Sequence, residues 1–313
     1  MTTETDSTPL GAVPEAGAPR RALFVVNTKS RRGREGAAVA AEALEAGGIE
    51  LVHGECADAG RLRDTIRDQA SSIDMVVLGG GDGTMNAAAP ALLETGLPLG
   101  ILPLGTANDL ARTLGIPTEL EQAARVVTGG WMRRIDLGEV NGHPFFNVAS
   151  IGLSVQVTRE LTRDLKRRWG RLGYALATGR ALWNMRPFRA EIRHDGEVRK
   201  VRTLQIAVGN GRYYGGGMTI EEGAAIDDGR LNLYSLEFER LWKLTLIYPA
   251  FRAGRHGLWH EVRTASAEEA EIRTRRPKAV NTDGELATQT PARFRVLRQA
   301  VRVLAPRPAV AQD

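Results

Sequence analysis

Short apolar runs alternate with polar stretches whose apolar residues fall three and four apart along the first part of the chain. Ala22 to Val26 is such a run; it ends at Asn27 and predicts a buried strand. A Gly- and Arg-rich loop follows, then an Ala- and Glu-rich helix that stops at Gly47-Gly48. Ile49 to Val52 predicts a second strand. Asp58 is placed to cap a helix with Leu62 and Ile66 on its apolar face. Met75 to Leu78 predicts a third strand that runs straight into a glycine loop, and a helix, the strand Leu99 to Leu102, another loop and another helix follow. Strands alternating with helices predict a parallel sheet.

The rhythm changes near Trp131. Ile135 to Val140, the turn Asn141-Gly142 and Phe145 to Val148 predict a hairpin, and Asp195-Gly196 predicts a second. Leu204 to Val208, Leu231 to Leu236 and Phe294 to Leu304 predict further strands, with helical patterns over Val155 to Trp183 and Leu241 to Phe251. The fold class expected is therefore α/β: a parallel-sheet α/β domain, then a mainly antiparallel, sandwich-like β domain with a helical insertion. The expected division is a disordered tail over 1–19, the first domain over 20–132, the second over 133–306 and a tail over 307–313.

Composition narrows the partners. The chain has 313 residues, 42% apolar and 25% charged, which suits two globular domains. A net charge of +5 favours anions: nucleotides, nucleic acid or an acidic membrane surface. Helix-turn-helix and RNA-binding signatures are absent, so nucleic acid is not expected. The one cysteine, Cys56, excludes an internal disulfide and fits a reducing, cytoplasmic setting. The first residues lack the basic start and apolar stretch of a signal peptide, and no run reaches the ~18 apolar residues a membrane span needs. A soluble protein, at most peripheral on the inner face of a membrane, is expected.

The segment Gly79-Gly80-Gly81-Asp82-Gly83-Thr84 follows a buried strand and opens a helix. Glycines let the backbone approach an anion, and successive N–H groups at a helix start face phosphate oxygens. A carboxylate there suits organisation of Mg²⁺ or a hydroxyl beside the phosphates. The bland alternative is a flexible turn with Thr84 as a cap. The pattern matches neither the Walker loop nor the Rossmann fingerprint. Pro103-Leu104-Gly105-Thr106-Ala107-Asn108-Asp109-Leu110-Ala111-Arg112 is another post-strand loop opening a helix, where Asn-Asp could equally be plain capping. Far downstream, Asn281-Thr282-Asp283-Gly284-Glu285 offers a carboxylate beside a tight turn. Taken bare, it is also an ordinary hairpin.

Together these segments resemble the diacylglycerol kinase and YegS-like bacterial lipid kinase family, over about Ala22 to Pro306. The Gly-Gly-Asp-Gly-Thr motif is shared with NAD kinases; the Gly-Thr-Ala-Asn-Asp form is not. The resemblance implies a DAGK-type nucleotide-binding first domain and a β-rich lipid-acceptor domain. It implies ATP as co-substrate, Mg²⁺, and a lipid acceptor, diacylglycerol-like or phosphatidylglycerol-like, at an anionic membrane. The nucleotide side would comprise Asn27, Gly80, Gly81, Asp82, Gly83, Thr84, Asn86, Gly105, Thr106, Asn108 and Asp109, with Thr106 and Asn108 reaching the nucleotide. Glu285 would take the hydroxyl proton, Asp82 would help organise metal and nucleophile, and Asp283 would assist with metal or hold the turn. Ala225-Ile226-Asp227-Asp228-Gly229-Arg230 resembles the family's structural Mg²⁺ loop, implying Asp228 with the carbonyls of Ala225 and Arg230. Gly209-Asn210-Gly211 opens a stretch resembling the family's cleft lining. The chain departs from the pattern at Thr28, where the family has proline, and near Glu55, where it has threonine. The basic, apolar-striped segment Val157 to Leu176 reads either as membrane-facing or as packed on the sheet. A soluble-substrate kinase of the NAD kinase type and a non-catalytic nucleotide- or lipid-binding regulator stay open as alternatives.

Overall fold

The computed structural model describes residues 21–27, 31–54, 58–129, 131–160, 186–211, 213–214, 218–219, 225–237 and 262–307. In the first half the order is β1 (Arg21–Val26), α1 (Arg31–Ala46), β2 (Glu50–Gly54), α2 (Ala59–Gln69), β3 (Met75–Gly80), α3 (Asp82–Thr95), β4 (Leu99–Pro103), α4 (Asp109–Thr113) and α5 (Leu120–Gly129). The four strands pair in parallel in the order β2-β1-β3-β4. β3 and β4 are buried along their whole length, which is why they read as unbroken apolar runs rather than alternating ones. Asp58 caps α2 as expected, accepting the Arg61 N–H at 3.0 Å. Arg31 to Gly33, expected as part of the Gly- and Arg-rich loop, starts α1 instead. Glycine disfavours a helix, but α1 packs against α5, and a Cβ on Gly36 would run into the Leu120 side chain. Contact between the two helices requires the small residue.

The second half contains β5 (Trp131–Val140), β6 (His143–Phe145), β7 (Val148–Gly152), α6 (Leu153–Glu160), β8 (Phe188–His194), β9 (Glu197–Thr203), β10 (Gln205–Gly209), β11 (Tyr213–Tyr214), β12 (Met218–Thr219), β13 (Leu231–Leu236), β14 (Val262–Ala267), β15 (Glu269–Thr274), β16 (Ala279–Thr282), β17 (Glu285–Gln289) and β18 (Ala292–Ala305). Asn141-Gly142, Asp195-Gly196 and Asp283-Gly284 all take positive φ at both residues, the geometry of two-residue hairpins. Phe145 to Val148 is not one strand, however. β6 ends at Phe145, and Val148 begins β7, which belongs to a different sheet. The helical pattern from Val155 is realised as far as Glu160; the rest of it, with Leu241 to Phe251, lies outside the described residues.

Two sheets carry the molecule. The larger runs β2-β1-β3-β4-β18-β15-β8-β9, with β5 on β18 and β6 on β5. The chain's last strand thus returns to the first domain: Val303 pairs with Leu99 in parallel, and β18 pairs with β5 antiparallel. A boundary at 132/133 falls inside β5. The second sheet, β14-β13-β10-β7-β16-β17, is wholly antiparallel. Its inner face (Ile151, Ile206, Leu233, Val280) packs on that of the larger sheet's antiparallel part (Phe188, Ile192, Ile272, Phe294) to form a second core. Among the described residues no helix is long and apolar enough to cross a membrane.

Candidate active site

β3 carries Gly79 and Gly80 at its C-terminal end, and Gly81 caps α3 from an extended backbone without a side-chain hydrogen bond. A cap lacking an acceptor leaves first-turn N–H groups to meet an incoming anion. β1 ends alongside: the Asn27 N–H donates to the Gly79 carbonyl at 2.8 Å. Thr84 packs its side chain over the Gly80 Cα, where a Cβ would collide with it.

The second loop lies directly on the first. The N–H groups of Leu104 and Gly105 both donate to the Gly80 carbonyl, at 2.9 and 3.2 Å. A Cβ on Gly81 would lie 3.1 Å from the Gly105 Cα, and one on Gly105 would strike the Gly81 Cα. Glycine at both positions lets the two backbones touch. Asn108 has left-handed backbone (φ 51), and its amide hydrogen-bonds within its own loop. Its Oδ1 accepts the Gly105 N–H at 2.9 Å and its Nδ2 donates to the Gly105 carbonyl at 3.0 Å. Short polar side chains readily close such local rings. Thr106 is exposed at the loop tip, and Asp109 is buried at the start of α4. Asp82 Oδ1 accepts the Leu110 N–H at 3.0 Å, tying α3 to α4.

The β domain meets these loops through Asp283. This side chain reaches back across the hairpin and accepts the N–H groups of Phe146 (2.8 Å), Asn147 (3.1 Å) and Val148 (2.9 Å). It thereby fixes the break between β6 and β7. Burial pushes its carboxyl up to about 7; the three amides oppose the rise, and the nearby charge of Asp82 adds to it. Asn147, itself buried, extends its Nδ2 to Asp82 Oδ1 at 3.4 Å. Asn86, its amide oriented to suit its neighbours, donates to the Pro144 carbonyl at 3.2 Å and to Asp283 Oδ2 at 3.3 Å. Glu285 opens β17 and is exposed; a Cβ on Gly83 would have Glu285 Oε1 as its neighbour at 4.0 Å. Residues two hundred positions apart therefore converge on the first turn of α3.

Asn147 was not evident in the sequence, and neither was Asp136. Asn147 merely follows an apolar pair. Asp136 sits mid-strand and accepts the N–H groups of Gly229 (2.7 Å) and Gln299 (2.6 Å). Asn210, from the glycine-rich cleft stretch, donates to the carbonyls of Asp136 (2.8 Å) and Phe146 (3.0 Å), bracing the same break from behind.

The Ala225–Arg230 loop stands apart from this cluster. Asp228 accepts the N–H groups of Ala225 (3.2 Å) and Arg230 (2.8 Å), and the Arg230 side chain turns away to Ser266. Burial raises the Asp228 carboxyl's pKa; the two loop amides oppose this, while Asp136 and Asp227 add negative charge. Asp227 is paired with Arg133 at 2.6 Å. Among the described residues no three His, Cys, Asp or Glu side chains converge as a metal cluster. A lone carboxylate with oxygen donors only suits a hard cation that keeps several waters rather than a softer one.

With this geometry, the chain's similarities are specific. The family described as the diacylglycerol kinase catalytic domain matches residues 21–140, and the YegS C-terminal NAD kinase beta sandwich-like domain matches residues 147–305. A protein named diacylglycerol kinase from Mycobacterium tuberculosis (strain ATCC 25618 / H37Rv) is 35% identical over 270 residues, covering 83% of this chain and 85% of that one. Another of the same name from Bacillus subtilis (strain 168) is 30% identical over 237 residues, 75% of this chain and 78% of that one. A crystal structure of a diacylglycerol kinase from Bacillus anthracis str. Sterne matches with TM-score 0.79 at 26% identity, over 94% of this chain and 100% of that one.

Proposed function

The chain belongs to the diacylglycerol kinase family, and on that premise we propose that it transfers the γ-phosphate of ATP to a lipid hydroxyl at the first turn of α3. The observation that carries the reading is the approach of Glu285 to Gly83, which sets a carboxylate from the β domain beside a glycine-built anion site. ATP phosphates lie along the loops of residues 79–86 and 103–109, against the uncapped N–H groups of α3. Glu285 accepts the proton of the lipid hydroxyl. The hydroxyl oxygen bonds to the γ-phosphorus as the bond from that phosphorus to its bridging oxygen breaks, and ADP leaves with the bridging oxygen. Asp82 uses Oδ1 to hold α4 and Asn147, leaving Oδ2 to orient the reacting groups. Asp82 on the nucleotide side, and Asp228 with the carbonyls of Ala225 and Arg230 in the 225–230 loop, would hold Mg²⁺, which would supply positive charge against the phosphates and the loop carboxylate.

The acceptor is a diacylglycerol-like or phosphatidylglycerol-like lipid, and the enzyme works peripherally at the inner face of a membrane. Radiolabelled ATP with a panel of hydroxyl-bearing lipids, and NAD as a soluble control, tests this. Label is expected in one lipid class and not in NAD. Label in no lipid, from protein that still binds nucleotide, overturns the reading; label in NAD alone assigns the chain to soluble-substrate kinases.

A further inference from the structure

Strand alternation divides β8, β9 and β15 cleanly. Phe188, Ala190, Ile192, Val201 and Ile272 face the second core. The opposite positions point outward and line up in rows: Arg189 stands opposite Arg202, Glu191 opposite Lys200, and Arg193 opposite Val198. β15 extends two of these rows, placing Glu271 beside Arg193 and Arg273 beside Glu191. Two of the three acids on this face are already engaged in ion pairs, and Glu269 stands opposite Arg295. Glu191 pairs with Arg193, and Glu271 with both Arg273 and Arg293. Arg189, Lys200, Arg202 and Arg275 line one shallow depression there and make no ion pair with a described carboxylate.

Two features argue against a merely solvated face. Arg189 and Arg202 are directly opposed like charges, which destabilises an antiparallel pair. Lysine and arginine on an edge strand guard against edge-to-edge pairing, and that accounts for Lys200 and Arg202 on β9. It does not account for Arg189 on β8, which lies inboard of the edge, or for Arg275, just past the end of β15. Among them Val198 is 56% exposed, an apolar residue at the rim of a cationic surface. No outward position of the three strands is aromatic, so the stacking platform that single-stranded nucleic acid uses is missing.

We propose that the outer face of β8, β9 and β15 is where this protein rests on an anionic phospholipid bilayer. The choice of a bilayer over other polyanions rests on the lipid-kinase reading; the face itself does not. The broad, shallow, cationic surface meets headgroup phosphates, and the unpaired arginines lose their mutual repulsion there.

The test is sedimentation of the full chain with vesicles of phosphatidylcholine alone or with phosphatidylglycerol, without ATP. The unaltered protein is expected to sediment with the anionic vesicles and to be released by salt. The triple substitution Arg189→Gln, Lys200→Gln, Arg202→Gln is expected to weaken this binding about 100-fold, each cation contributing about fivefold near an anionic leaflet. A control triple that removes equal charge elsewhere, Arg61→Gln, Arg125→Gln, Arg307→Gln, is expected to bind like the unaltered protein. Both triples are expected to phosphorylate detergent-dispersed lipid normally. Three results overturn the proposal: no binding by the unaltered protein, equal losses in the two triples, or full binding by the first triple. A fourth, RNA displacing the protein from vesicles through these same residues, also overturns it by assigning the face to nucleic acid. Absence of lipid phosphorylation with the binding pattern intact would refute the kinase reading and leave the docking face standing.

Discussion

Replacing Gly105 with alanine places one methyl group where the two nucleotide-side loops touch. The new Cβ would lie 2.7 Å from Asn108 Oδ1 and closer still to the Gly81 Cα. Neither neighbour yields easily, since Asn108 is held by two hydrogen bonds to Gly105 and Gly81 is backbone at the cap of α3. The loops must separate by roughly 1 Å, and overpacking of that kind costs about 1–3 kcal/mol. A displacement of about 1 Å at a reacting centre can lower the rate about 100-fold. The measurements are melting temperature, nucleotide affinity and phosphoryl transfer. Gly129→Ala is the control, because beyond its chain neighbours and its own helix backbone no atom lies within 4 Å of the Cβ it adds. All three readouts are expected to fall for Gly105→Ala and to hold for Gly129→Ala. A Gly105→Ala protein that melts, binds and turns over normally would refute the claim that backbone contact between the loops builds the site.

Other expectations follow from single side chains. Asp283→Ala abandons three backbone N–H groups and is expected to cost at least about 3 kcal/mol, read by chemical denaturation, because each stranded buried donor costs about 1–3 kcal/mol. Asp136→Ala strands the amides of Gly229 and Gln299 and is expected to destabilise by about 2 kcal/mol or more, exceeding Asp228→Ala, whose two amides lie in an exposed loop. Added Mg²⁺, without nucleotide, is expected to raise the melting temperature of the unaltered protein and not that of Asp228→Ala; an equal rise in both removes the ion from the 225–230 loop.

The parallel half of the fold was legible because its signals are local. Buried strands read as apolar runs, Asp58 caps its own helix, and Asn-Gly and Asp-Gly turns need only their own backbone angles. Structure imposed from a distance was not legible. Phe145 to Val148 reads as one strand, and it is broken by a carboxylate 136 residues away that takes its amides. β18 looks like an isolated β strand, yet half of it completes the first domain's sheet beside β4 and β5. The site divides in the same way. The glycine loops and Glu285 were found by motif, and the structure brings Glu285 to Gly83. Asn108 fits its motif, but that match could not reveal that its amide closes a ring with Gly105. Asn147 and Asp136 carry no motif, and their importance arises from partners the fold supplies.

The most direct measurement of the account is single-turnover transfer of labelled phosphate from ATP to lipid by Glu285→Gln beside the unaltered protein, with nucleotide binding measured on both. Glutamine keeps the shape of the side chain and cannot accept the hydroxyl proton. Loss of a general base lowers the rate about 10²–10⁴-fold, so the account predicts a loss of that size in transfer with nucleotide affinity unchanged. Transfer at the unaltered rate by Glu285→Gln would contradict it, because the convergence of β17 on α3 would then have no part in the chemistry.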